Sequence, residues 1–173
     1  MAQLQCTRKL LLQLNALPGP GAEPPDSEPG RLGDWCATLF PIERRTAALF
    51  MSQRSFLSFV VFEGERFDAE ALAKVFWGGL SQTLALAGYK PAIVKQVVSS
   101  YSDLVLAAIA SKSHNAQLTN LCRDYQHFVE TSGGLKRCDI GAAIQNINQR
   151  PRPAFEWATP EEVTREVLLA TAA

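Results

Sequence analysis

The stretch Trp35–Gly64 constrains the fold most, because it holds three consecutive apolar runs of strand length. These runs are Trp35–Phe40, Thr46–Met51 and Phe56–Phe62. The links between them are four or five residues long, which favours antiparallel hairpins. A parallel neighbour would need a crossover of about a dozen residues or more. The third run is apolar at consecutive positions, which predicts an interior strand covered on both faces.

The rest of the chain supplies further strands and a set of helices. Residues 2–6 have the length of a short strand, and Leu104–Ala110 is apolar without a helical period, which predicts another strand or a buried helical turn. Amphipathic segments with caps at their starts predict the helices. The prediction is an α+β fold with an antiparallel sheet of four or five strands, covered by about five helices.

A segment rich in proline, glycine and acidic residues interrupts this pattern at 18–34. It has almost no apolar side chains to bury, so it predicts a flexible surface insertion. Only about 17 residues precede it, too few for a separate domain. Residues 1–173 are therefore predicted to form a single α+β domain.

Composition indicates a soluble protein of the cytoplasm. Hydrophobic residues make up 47% of the chain and charged residues 20%, and no apolar run approaches the roughly 18 residues of a membrane span. The first residues lack the layout of a secretory signal, so we expect a cytoplasmic location and no membrane partner.

Four well-separated cysteines and two histidines predict reduced thiols, no metal site and no cofactor.

Basic residues occur where strands and helices are predicted to begin or end. Arg8 and Lys9 open the first helix, and Arg44 and Arg45 lie in a hairpin. One edge of the sheet can gather these residues into a phosphate-binding surface. The alternative is a set of solvated side chains without a ligand.

A second polar cluster, residues 111–115, lies between the Leu104–Ala110 strand and a strongly periodic helix. Ser113 or Asn115 is predicted to cap that helix. Lys112 and Asn115 join the candidate phosphate ligands, and His114 is the candidate catalytic residue, because histidine with Arg and Lys can act as acid/base and phosphate clamp in a ribonuclease.

Two parts of the sequence carry a family resemblance. The opening Leu4–Leu11, LQCTRKLL, is followed after the insertion by Trp35, an apolar strand and the basic pair before the next strand. With His114-Asn115 and the tail 146–169, this layout resembles a family of small bacterial proteins of unknown function. The resemblance implies a compact α+β unit and no particular activity.

The tail has a second, local resemblance. Residues 148–163, NQRPRPAFEWATPEEV, look like the C-terminal end of the integrase-core domain of some transposases. That fold needs three carboxylates to hold two metal ions, and the predicted strands in 35–62 carry no interior acid. The interpretation is structural: prolines fix an extended segment, Phe155 or Trp157 fills the core, and a capped helix closes the domain.

No phosphate-loop, nucleophile-elbow or paired-histidine motif is present in the sequence. Three functions stay open. The first is a non-enzymatic module that binds a macromolecule, protein or nucleic acid. The second is a small RNA-acting enzyme of the toxin nuclease type that uses His114. The third is an enzyme or binder of a small molecule.

Overall fold

The structure is a computed structural model that describes residues 1–17, 29–62 and 68–170. Within these residues, five strands form one sheet and six α-helices surround it. The strands are β1 Ala2–Cys6, β2 Trp35–Ile42, β3 Arg45–Ser52, β4 Ser58–Phe62 and β5 Leu104–Ala108. The helices are α1 Arg8–Gln13, α2 Ala69–Leu86, α3 Pro91–Ser99, α4 Lys112–Thr131, α5 Ile140–Asn148 and α6 Pro160–Ala170. The α+β class is confirmed.

The sheet is mixed, so the predicted antiparallel sheet is wrong. The strand order is β4-β3-β2-β1-β5. The hairpins β2–β3 and β3–β4 are antiparallel as predicted, whereas β1 runs parallel to both β2 and β5. The reason is the length of the connections: β1 reaches β2 through α1 and a long segment, and β5 follows two helices, so both links are crossovers.

Strand β4 lies at one edge of the sheet, which corrects the predicted interior position. Its apolar residues at consecutive positions have a different cause, because α2 and α5 both contact the strand. At its first residue, the edge is covered by Asn148 of α5. The side-chain oxygen of Asn148 accepts from the backbone N–H of Ser58 at 2.9 Å, and its amide donates to the Ser58 carbonyl at 2.8 Å.

Aromatic rings fill the layer between the sheet and α2. Trp35, Phe50 and Phe59 project from three neighbouring strands, and Phe76 of α2 packs against all of them with ring centroids 5.2–6.1 Å apart. The ring of Tyr101 packs edge-on against Phe76 at 5.6 Å. This cluster fixes α2 over the sheet.

The end of the predicted insertion is packed rather than flexible. Leu32 is fully buried, its backbone N–H donates to the Tyr101 hydroxyl at 2.8 Å, and that hydroxyl donates to the Gly33 carbonyl at 2.9 Å. Gly30 lies against the Tyr101 ring, where a Cβ would come within 2.3 Å of a ring carbon. The rest of the predicted insertion, 18–28, lies outside the described residues. The single-domain organisation stays a prediction.

The C-terminal segment ends in a capped helix and an inward aromatic side chain as predicted, but Pro153–Phe155 forms a 3-10 helix where the prolines predict an extended segment. Thr159 and Glu162 form a reciprocal capping box at the start of α6, with distances of 2.8 Å and 3.1 Å. Phe155 is the residue that reaches the interior, where its ring lies 4.7 Å from that of Phe56, while Trp157 is 68% exposed. In the described part of the chain, no helix combines the length and apolarity needed to span a membrane.

Candidate anion-binding cleft

A cleft of about 610 Å³ opens at the carboxyl ends of β1 and β5. The chain leaves β1 into α1 and leaves β5 into α4, so the first turns of both helices line the opening. We call it the basic cleft, and its lining residues are Cys6, Thr7, Arg8, Lys9, Leu11, Leu17, Ala108, Ile109, Ala110, Ser111, Lys112 and Asn115.

The position of the cleft follows from the strand order. From β1 the chain proceeds to β2 on one side, and it later returns to β5 on the other side of β1. The carboxyl ends of parallel strands at such a reversal leave a crevice that ligands commonly occupy. The parallel pairing of β1 with β5, which places Cys6 opposite Ala108, thus creates the floor of the cleft.

Three cationic side chains, Arg8, Lys9 and Lys112, line the cleft, and none of its lining residues within 1–17, 29–62 and 68–170 is acidic. All three residues are exposed at the surface. Among the described residues, the ion pairs involve Lys74, Arg150 and Arg152, and none involves a cation of the cleft. Three neighbouring positive charges without a carboxylate partner make the cleft attractive to an anion.

The first turn of α4 adds hydrogen-bond donors to this charge. Ser111 is the N-cap, and its hydroxyl oxygen accepts from the backbone N–H of His114 at 3.2 Å. The predicted cap at Ser113 or Asn115 is therefore wrong, since the helix begins earlier, at Lys112. No hydrogen-bond partner occurs for the backbone N–H groups of Lys112 and Ser113 within 1–17, 29–62 and 68–170. A 20-residue helix presents its positive dipole end there.

The structure brings together four of the predicted ligand residues, Arg8, Lys9, Lys112 and Asn115. It leaves Arg44 and Arg45 out of the cleft lining. Arg45 begins β3, on the far side of β2 from β1, and its guanidinium carbon lies 5.0 Å from the centroid of the Phe62 ring. Arg44 lies in the exposed turn between β2 and β3.

His114 is near the cleft in sequence but its side chain does not line it. Its backbone N–H donates to the N-cap Ser111, and its Nδ1 atom is buried without a hydrogen-bond partner in the described part of the chain. A general acid or base has to reach the ligand that it serves. The geometry therefore gives His114 no catalytic contact in the cleft.

Cysteine chemistry is disfavoured in the cleft as well. Cys6 is completely buried, and burial raises the pKa of its thiol to about 12. Burial likewise raises the pKa of Cys122 to about 12, although the nearby charge of Lys9 opposes this to a lesser extent. A nucleophilic cysteine needs a lowered pKa, because the thiolate is the reactive form.

Sequence reasoning missed the apolar wall of the cleft and its cap. Leu11, Leu17 and Ile109 also line the cleft, and Ser111 caps α4. The available signal was the polar stretch directly after a strand, which the sequence shows at Ser111. The apolar residues carry no such signal, since their placement depends on the parallel pairing of β1 with β5.

The described residues hold no group of three or more His, Cys, Asp and Glu side chains arranged to bind a metal ion.

In comparisons with known proteins, the family model described as "Domain of unknown function (DUF6933)" matches residues 3–163. Among curated proteins, none matches this sequence.

Proposed function

The chain belongs to the family of the domain of unknown function DUF6933, and from this premise we propose that it is a non-enzymatic module that binds a small phosphate-bearing ligand in the basic cleft. Membership of a family of unknown function is what the opening motif and the basic hairpin predict. The observation that carries the proposal is the convergence of Arg8, Lys9 and Lys112 on one concave surface at the N-terminus of α4.

The size and lining of the cleft favour a small ligand. A volume of about 610 Å³ lies within the usual range of roughly 300–1,000 Å³ for small-molecule sites. The cations and the backbone N–H groups of α4 can bind a phosphate. The side chains of Leu11, Leu17 and Ile109 offer an apolar surface to the rest of the ligand. A ligand of nucleotide size, with an anionic end and a planar, weakly polar end, matches both the cationic and the apolar residues of the lining.

In the part of the chain that the structure describes, the cleft lining holds no histidine and no carboxylate to act as general acid or base, which supports the non-enzymatic part of the proposal. His114 does not line the cleft, and the one thiol that does, Cys6, has its pKa raised to about 12. Lysine and arginine without such a group can hold a phosphate, whereas proton transfer during cleavage calls for a group that titrates near neutral pH.

Calorimetric titration with AMP and with adenosine tests the proposal. AMP should bind and adenosine should not, because only AMP carries the phosphate. Arg8→Ala and Lys112→Ala should each weaken AMP binding by about tenfold or more, since a charged hydrogen bond contributes roughly 1.5–3 kcal/mol. The matched control is Arg45→Ala, which removes a cation outside the cleft and should leave AMP binding unchanged. Equal affinity for AMP and adenosine, or no effect of Arg8→Ala, would overturn the proposal.

A second candidate is a single nucleic-acid strand that runs from the cleft to Arg44. The β2–β3 turn lies at the same end of the sheet, and β2 continues five residues past the Cys6–Ala37 pair, about 16 Å at 3.3 Å per residue. For this candidate, Arg44→Ala should weaken binding of a short single-stranded RNA and flatten its salt dependence, with AMP binding unaffected.

If wild type cuts the RNA and His114→Ala does not, the protein is an enzyme and the non-enzymatic proposal is wrong.

A further inference from the structure

The two edge strands of the sheet, β4 and β5, differ in the contacts that cover them. At β4, the side chain of Asn148 pairs with both backbone groups of Ser58 and so covers the first residue of that edge. At the other edge, β5 carries the sequence LVLAA, whose first four residues are half-buried and whose last residue is exposed. Proteins normally protect an edge strand with charges, prolines or bulges, and Leu104–Ala108 contains no charged residue and no proline.

The hydrogen bonds of β5 with β1 identify which backbone groups face outward. Ala2 N–H donates to the Asp103 carbonyl at 3.2 Å, and Ile109 N–H donates to the Cys6 carbonyl at 3.2 Å. Since alternate residues of a strand point their backbone groups to the same side, the odd-numbered residues from 103 to 109 face β1. The N–H and C=O groups of Leu104, Leu106 and Ala108 consequently face away from the sheet. Within the described ranges these groups have no backbone hydrogen-bond partner.

The helices that the structure describes make their main contacts with other strands of the sheet. The main helix contacts of the sheet are those of α1 with β2, of α4 with β2 and β3, and of α2 and α5 with β4. The helical layers are thus centred over the opposite part of the sheet. Both faces of β5 stay partly exposed, and its side chains on both faces are apolar.

We propose that β5 pairs in antiparallel orientation with β5 of a second copy of this chain, about a two-fold axis that passes through Leu106. The outward residues are spaced so that Leu106 lies opposite Leu106 of the second copy and Leu104 opposite Ala108. Every pair in this register joins two outward-facing residues and exchanges two hydrogen bonds, which makes six across the axis by the antiparallel rule. The two five-stranded sheets then form one continuous sheet of ten strands.

The charges that flank β5 favour a second copy of this chain as its partner, and they favour the antiparallel orientation. Asp103 precedes β5, and Lys112 follows it by a few residues. An antiparallel second copy brings the acidic flank of one chain beside the basic flank of the other at each end. A parallel copy would place the two acidic flanks together and the two basic flanks together, which is unfavourable.

Sedimentation equilibrium over a range of concentrations tests this interface. Wild type should approach twice the 18.9 kDa of one chain as concentration rises. Leu106→Lys and Leu106→Glu should each raise the dimer dissociation constant by about tenfold or more, because like charges then face each other across the axis. An equimolar mixture of the two variants should recover the dimer, since Lys then faces Glu.

Leu169→Lys is the matched control, because Leu169 is a 66% exposed leucine on α6, away from the edge, and this variant should dimerise like wild type. Circular dichroism establishes that each variant is folded. If both Leu106 variants fail to fold, Asp103→Lys replaces them and should weaken the dimer by placing like charges at each end. A wild type that stays at the mass of one chain overturns the proposal, and so does a dimer that neither Leu106 variant nor Asp103→Lys weakens. Leu106 does not line the basic cleft, so the Leu106 variants leave every lining residue of the cleft in place.

Discussion

At the scale of single residues, a few buried polar side chains hold long-range parts of the chain together. Asn148 satisfies the backbone of Ser58, 90 positions earlier in the chain, and Ser58 also shares a hydrogen bond of 3.0 Å with the hydroxyl of Tyr125 on α4. Both Asn148 and Ser58 are buried. A buried group that loses its partner carries the cost of desolvation without compensation.

Asn148→Ala should therefore lower the free energy of unfolding by about 2 kcal/mol or more, because it leaves the Ser58 N–H and C=O buried and unpaired. Chemical denaturation measures the change. The control on the same helix is Asn146→Ala, which removes an exposed amide bonded to Arg150 and should change stability by no more than about 0.5 kcal/mol. Equal effects of the two substitutions would show that Asn148 does not seal the β4 edge.

At the scale of elements, α2 contains two adjacent glycines with opposite surroundings. A Cβ added to Gly79 would lie 2.3 Å from a ring carbon of Phe59, so Gly79 permits the close approach of α2 to β4. A Cβ added to Gly78 would meet nothing within 4 Å. Close packing against the sheet therefore explains Gly79 alone.

These surroundings predict opposite effects of the same substitution. Gly79→Ala should destabilise the protein by about 1–3 kcal/mol, because the ring of Phe59 has to move. Gly78→Ala should stabilise it by up to about 1 kcal/mol, since alanine has the higher helix propensity. Thermal unfolding of the two variants beside wild type measures both changes. A destabilised Gly78→Ala, or a Gly79→Ala as stable as wild type, would contradict this packing of α2.

At the scale of the whole molecule, burial of several thiols and phenols makes stability depend on alkaline pH. Burial raises the pKa of Cys6 and Cys122 to about 12 and that of Cys36 to about 11, against an ordinary value of 9.0. Burial also raises the pKa of Tyr101 to about 12 from 10.0. These groups stay protonated in the folded chain at a pH where the unfolded chain ionises.

The stability contributed by each protonated thiol is complete below about pH 9 and is lost as pH rises towards its folded pKa. Each thiol accounts for at most about 1.4 kcal/mol per pH unit over that window. Denaturation series from pH 8 to 11 under reducing conditions should show falling stability, with a shallower slope in Cys6→Ala and a still shallower one in Cys6→Ala/Cys122→Ala. An unchanged slope in the double variant would show that these thiols are not the titrating groups.

Local patterns in the sequence determined most of the elements. The strand-length apolar runs, the short hairpin links and the Thr159–Glu162 capping box each depend on residues a few positions apart, and the structure has the corresponding strands, hairpins and helix start. The same locality explains the misplaced cap of α4, because several polar residues in 111–115 compete for one position and only the path of the chain selects Ser111.

The sequence by itself thus determined an α+β unit, its β2–β3–β4 hairpins and the presence of basic residues at the ends of elements. Only the tertiary structure decided that β1 runs parallel between β2 and β5 and that β4 is an edge strand. It also decided that Arg8, Lys9 and Lys112 line the same cleft while Arg45 lies outside it. The physical reason is that strand order depends on which distant faces bury each other best. Residues about 100 positions apart leave no periodic signal of such a contact in the chain.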